Sequence, residues 1–209
     1  VFKPRLAENT QEVRESAALS YGISAIAGED EMKMLVDLAL DQGKAKEASN
    51  GSVNMRTRAF ACYGLGLVSY RNSDVAIKKQ AFDALKKVLE SKDLRDRNIQ
   101  VAAINGIRIL NIGRDSDEEK TLLTDAVDTL EKYYMQKVGP GRNIILSHCP
   151  PAIATLLGSD HERSGDFKQL FAKDMQDKGK IKRAGNAISQ SCALALGQMC
   201  PAYDDKKSP

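Results

Sequence analysis

The sequence has no Trp, only two His, and aromatic residues at 5%. So few large rings argue against a β-sandwich, and suit a core of Ala, Leu, Ile and Val in closely approaching helices. No stretch reaches the run of about 18 apolar residues that a membrane span requires. No signal peptide is evident, although the chain begins at Val1 rather than Met, which leaves room for a leader or further repeats before it. The four cysteines, Cys62, Cys149, Cys192 and Cys200, lack the paired C-x-x-C spacing of a zinc site. Cys62 and Cys192 lie among Ala, Leu and Tyr, so buried reduced thiols are expected. That points to a reducing compartment, cytoplasmic or nuclear. Charge of one sign is lacking too: 31 basic against 28 acidic residues leave only +3, with the two signs interleaved. A dedicated nucleic-acid binder carries a stronger, clustered excess.

What is present is ordinary for a folded protein: 42% apolar and 28% charged residues. The feature that organises it is a period. Arg56 to Val68 reads RTRAFACYGLGLV, a helix with Arg near its start and Gly64 towards its end. Val13, Arg14, Ala17, Ala18, Tyr21 and Gly22 form an earlier version 42 residues upstream, and Asn98, Ala102, Ala103 and Gly106 a later one 42 residues downstream. Self-similarity at such a period marks a stack of supersecondary units. Each unit pairs this helix with a second. The apolar spacing predicts first helices near 11–27, 54–70 and 97–112, and second helices near 31–41, 74–90 and 117–134. Residues 43–53, rich in Gly, Ser and Lys, are expected to form an exposed loop between units.

Beyond Gly139-Pro140-Gly141 the period slips. The fourth unit aligns with Gly158 in the place of Gly64, 52 residues after Gly106, and a second helix follows near 166–177. The fifth, Ala187 to Met199, aligns with Gly197 after a further 39. Repeat bounds are therefore 9–43, 52–91, 96–135, 142–177 and 184–201, in a single domain over 1–209 that reads as a piece of a longer array. The expected fold class is all-α, an α-solenoid of about five antiparallel helix pairs. Each mid-helix Gly costs on the order of 1 kcal/mol relative to Ala. Recurrence in register at that cost implies backbone contact with a neighbouring helix.

The string Val13-Arg14-x-x-Ala17-Ala18-x-x-x-Gly22, repeated with Arg56, Ala59 and Gly64, resembles the first helix of HEAT-like repeats of the type found in phycobilisome lyases. The resemblance implies second helices lining a concave face. It also raises specific activities that the residues oppose. HEAT-like deoxyhypusine hydroxylases bind iron through several His-Glu pairs, and this chain has one, His161-Glu162. His148 beside Cys149 invites a Cys-His reading, but adjacent residues rarely face each other, and an activated thiolate needs a base in reach. Gly64-Leu65-Gly66 lacks the strand and Gly-Lys-Ser/Thr of a phosphate loop.

The leading reading is a non-enzymatic scaffold that binds a protein or peptide in the concave groove, without a metal or other cofactor. Lys79, Asp83, Lys86, Lys87, Asp125, Asp128 and Lys132 are the candidate contacts. The alternative is a nucleic-acid binder using Lys78, Lys79, Lys86 and Lys87 with the basic run Lys178, Lys180, Lys182 and Arg183. The acidic residues of 117–131 oppose it by repelling phosphates, and no Trp is present to flank an extruded base as in HEAT-like DNA glycosylases. A lyase-like enzyme or enzyme subunit ranks third. The last helix, with Leu194, Leu196 and Met199 around it, is expected to meet a partner or further repeats.

Overall fold

A computed structural model describes residues 5, 10–24, 28–91, 96–137, 141–176 and 186–200. They form eleven helices and no strand. The chain gathers into two compact units, Val1–Thr129 and Leu130–Pro209, where the periodicity suggests one array. Gly139-Pro140, the basic run at 178–183 and the residues after Cys200 lie outside the described residues.

In the first unit, α1 (Gln11–Ile23), α4 (Met55–Tyr70) and α6 (Arg97–Arg108) lie side by side in chain order, α4 in the middle. Behind them α2 (Glu29–Leu40) packs on α4 and α5, and α5 (Val75–Glu90) on α4 and α6. The starts of these helices follow local chemistry. Asn54, Asp74 and Asp96 accept hydrogen bonds from Arg56, Ala76 and Asn98 N–H, each at 2.8 Å, and so satisfy first-turn donors. At the head of α7 (Asp117–Tyr134), Glu119 N–H donates to Ser116 Oγ while the Glu119 carboxylate accepts from Ser116 N–H, a capping box.

The second helices match their sequence expectation, and 43–53 does not. That segment contains a short helix, α3 (Gly43–Ala48), with Ala45 and Val53 buried. Asp41, in the left-handed region at φ 57°, accepts from Val53 N–H at 2.7 Å and Ser52 Oγ at 3.3 Å. Polar composition concealed an ordered connection whose carboxylate supplies the missing backbone partner.

In the second unit, α8 (Asn143–Leu146) leads into α9 (Cys149–Leu157), with Pro150 and Pro151 in its first turn. α10 (Ser164–Met175) and α11 (Asn186–Met199) complete it, α11 packing on α8, α9 and α10. Tyr134 and Phe171, both fully buried, meet edge to face at 6.1 Å, and Phe167 tilts against Phe171 at 5.7 Å. Of the three apolar residues singled out on α11, Met199 is buried, Leu196 is half-buried, and Leu194 is 56% exposed.

Candidate functional site

The second helices carry the proposed contact residues, and α5 is the best defined of them. Phe82, Leu85, Val88 and Leu89 are buried along one side, which turns Lys79 and Lys87 to solvent and leaves Asp83 and Lys86 half-buried. Lys79 Nζ and Asp83 form an i,i+4 ion pair at 2.7 Å, their side chains 61% and 45% exposed. Lys86 Nζ stands 5.9 Å from the centre of the Phe82 ring. On α7, Asp125, Asp128 and Lys132 are exposed. Lys132 falls in the second unit and the other six in the first. Of the seven, the ion pair brings Lys79 and Asp83 together.

Lys78 corrects the nucleic-acid reading. Its side chain is buried, and its ammonium donates to the Asn111 carbonyl in the turn before α7. The amphipathic spacing places Lys78 on the packed side of α5, where a long side chain reaches the next turn and satisfies a carbonyl there. Nearby, the Ser116 and Asp115 N–H groups hold the Glu119 carboxyl below its usual range.

The repeat-motif residues divide sharply. A Cβ on Gly22 would fall 2.4 Å from Gly64 Cα, so α1 and α4 touch backbone to backbone. On Gly106 it would fall 2.8 Å from the Cys62 carbonyl oxygen of α4. Ala17, Ala18 and Ala102 are buried beside these contacts, whereas Val13 and Ala59 are half-buried. Arg14 and Arg56 are not equivalent. Arg56 pairs with buried Glu15 at 3.0 Å, while Arg14 Nε is buried with no hydrogen-bond partner among the described residues.

Gly158 and Gly197 do not play the role that the alignment assigns them. Gly158 caps the end of α9 at φ +62°, ψ −160°, a backbone conformation that disfavours a side chain. Among the described residues, Gly197 has nothing within 4 Å of where a Cβ would lie. The apolar pattern aligned these glycines, and a pattern of apolar positions carries no information on what lies opposite.

Three features escaped the sequence reading. Gly66 faces Gly106 and Ile109, its virtual Cβ 2.8 Å from the Gly106 carbonyl oxygen. Two glycines two residues apart point to opposite sides of a helix, and that signal was available. Arg58 is buried and donates Nε–H to the Ala39 carbonyl at 3.1 Å, its pKa lowered by burial against the opposing pull of Asp41. In the second unit Tyr134 donates its hydroxyl to Asp174 at 2.6 Å and lies 3.4 Å from Cys192 Sγ, an internal polar tie with no periodic signature.

The chemistry-bearing residues stand apart. Cys62, Cys149 and Cys192 are buried thiols and Cys200 is exposed; no disulfide joins them. Burial pushes the Cys62 thiol up to about 12, so it remains protonated and unreactive near neutrality. Cys149 opens α9 in the core, and His161 Nδ1 accepts from Arg163 N–H at 3.2 Å. Among the described residues no three His, Cys, Asp or Glu side chains are placed to hold a metal ion, and no helix is long and apolar enough to cross a membrane. A shallow depression of about 340 Å³ lies over α1, lined by Arg5, Glu12, Val13, Ser16, Ala17 and Ser20. Comparison of the chain with protein-family models, with curated proteins and with solved structures yields no match.

Proposed function

We propose that the chain is a HEAT-like α-solenoid of about five helix pairs, acting as a non-enzymatic scaffold for a protein or peptide. The observation that carries this reading is the outer side of α5. Lys79 and Lys87 are exposed, with Asp83 half-buried, on a helix whose other side is buried. An exposed ion pair such as Lys79–Asp83 contributes roughly 0–1 kcal/mol, so its charges can be re-partnered by a ligand at little loss. Hydrogen bonds between successive units add support. Ser69 Oγ donates to the Leu110 carbonyl at 3.0 Å, and Arg71 to the Ile23 carbonyl at 3.2 Å. Such ties join successive helix pairs of the first unit, as a stacked array would require.

Nucleic-acid binding is the weaker alternative, because Lys78 is buried with its ammonium held by the Asn111 carbonyl. Peptides selected on the whole chain from a random library are the test. Lys86→Glu with Lys87→Glu, or Asp125→Lys with Asp128→Lys, is expected to weaken a selected peptide by about tenfold or more. Selected peptides indifferent to both charge swaps would defeat the proposal. So would duplex DNA or RNA binding that weakens steeply with salt and disappears on K86E/K87E.

A further inference from the structure

An Asn side chain can be attacked by the backbone nitrogen that follows it, and the attack is easiest before Gly, which has no side chain to shield that nitrogen. The sequence holds two such pairs, Asn50-Gly51 and Asn105-Gly106, and the fold treats them in opposite ways. Asn50, Gly51 and Ser52 are exposed in the turn that follows α3. Asn50 at φ 54° and Gly51 at φ 101° hold backbone conformations that Asn and Gly adopt more readily than other residues. No described residue hydrogen-bonds the Asn50 side chain, and none lies within 4 Å of where a Cβ on Gly51 would stand. Two backbone bonds close the turn, Asn50 N–H to the Glu47 carbonyl at 3.2 Å and Gly51 N–H to the Lys46 carbonyl at 3.0 Å.

Asn105-Gly106 lies inside α6, so the Gly106 nitrogen belongs to the helical ladder. Gly106 is buried, and a Cβ on it would fall 2.8 Å from the Cys62 carbonyl oxygen of α4. The Asn105 side chain is engaged as well, its Nδ2 donating to the Val101 carbonyl at 3.0 Å and to the Tyr63 hydroxyl at 3.4 Å. Asn72, which precedes the small Ser73, is also held: its Oδ1 accepts the Asp74 N–H at 2.9 Å.

We propose that Asn50 is a site of spontaneous deamidation in the folded chain, and that its isoaspartyl product releases the end of α3. The Gly51 nitrogen loses its proton to hydroxide and adds to Asn50 Cγ. The bond from Cγ to the side-chain nitrogen breaks, and that nitrogen takes up a proton and leaves as ammonia. Water then opens the cyclic imide at either carbonyl, giving aspartate or, with the backbone rerouted through Cβ and Cγ, isoaspartate. No oxidant or cofactor is needed. Loss of the amide proton is also the first step of hydrogen exchange, so the same openings govern both. Exposed turns open at almost no cost, whereas a packed helix opens only near the cost of unfolding. The isoaspartyl product lengthens the backbone within the turn and adds a negative charge there. Two residues on, buried Val53 is placed by its N–H bond to Asp41 at 2.7 Å, and a longer turn loses the match between that bond and the two that close α3.

The test follows the full chain in warm, mildly alkaline buffer, folded and in urea, by mass-spectrometric peptide mapping. Methyl transfer by an isoaspartyl carboxyl methyltransferase reports the rearranged product. In urea both Asn-Gly pairs are expected to convert. In the folded chain Asn50 is expected to gain the mass of an amide-to-acid exchange at least about tenfold faster than Asn105, because α6 has to open first. Methyl acceptance is expected at residue 50 and to be lost in Asn50→Gln, whose longer side chain closes a less favourable ring. Hydrogen exchange at Val53 is expected to quicken in the modified chain while that of α5 stays the same; unchanged exchange at Val53 would overturn the release of α3. The site itself is overturned by equal conversion of Asn50 and Asn105 in the folded chain. It is overturned too by a folded Asn50 that stays intact while the urea sample converts, or by aspartate forming there without isoaspartate, the mark of direct hydrolysis.

Discussion

The two units are held together by different means. In the first, small residues let backbones meet: Gly22 lies on Gly64, and Gly66 on Gly106. In the second, large rings and a polar tie do the work: Phe167, Phe171 and Tyr134 pack together, and Tyr134 hydrogen-bonds Asp174 beside Cys192. Backbone contact demands the same small residue at the same place in each unit, so it leaves a period in the sequence. An aromatic cluster is satisfied by many arrangements of large residues and leaves none.

The contrast is sharpest for Phe171, which is fully buried and has no counterpart in the 42-residue pattern. Phe171→Ala is expected to lower stability by about 3–5 kcal/mol, because it removes a large buried ring and leaves a cavity. Hydrogen exchange resolved by helix is the measurement, with protection lost first in α10 and α11. Protection lost equally in α1 and α4 would show that the two units do not differ in this way.

A second way to probe the small-residue core is alkali. The Cys62 thiol, buried against the glycine contacts, has its pKa raised by desolvation from 9.0 to about 12, so the fold favours its neutral form. The unfolded chain ionises first and holds fewer protons through that window. Stability is therefore intact below about pH 9 and falls as pH rises towards 12, by at most roughly 1.4 kcal/mol per unit from this group. Urea unfolding between pH 8 and 11 is expected to show the fall, and Cys62→Ala to flatten it. Tyr133, raised by burial from 10.0 to about 12, adds a later contribution in the second unit that the Cys62 variant leaves in place.

The same division explains what the sequence made legible. Helix positions in the first unit followed from apolar spacing and from the recurrence of Gly22, Gly64 and Gly106. The α3 connection was missed because its order comes from one carboxylate, Asp41, reaching across to the Val53 N–H, and no composition records that. Lys78 was counted as an exposed cation because hydropathy cannot show a lysine ammonium held by the Asn111 carbonyl. The candidate surface was legible only as a set of charged positions on α5 and α7.

Gly22 and Gly197 put this difference to its most direct test, because one substitution carries opposite expected signs. Within a helix, Ala is favoured over Gly by roughly 1 kcal/mol. At Gly197 no atom of the described residues lies within 4 Å of the added methyl, so Gly197→Ala is expected to stabilise the chain by about 0.5–1 kcal/mol. At Gly22 the methyl would fall 2.4 Å from Gly64 Cα and 2.6 Å from its carbonyl oxygen. Backbone atoms cannot rotate away as a side chain would, so α1 and α4 must part, and overpacking of this kind costs about 1–3 kcal/mol. Gly22→Ala is therefore expected to be a net destabilisation of up to about 2 kcal/mol, read as a lower urea midpoint. If both variants shift the midpoint upwards, the period records helix composition alone, and the backbone contact between α1 and α4 has no part in holding the stack.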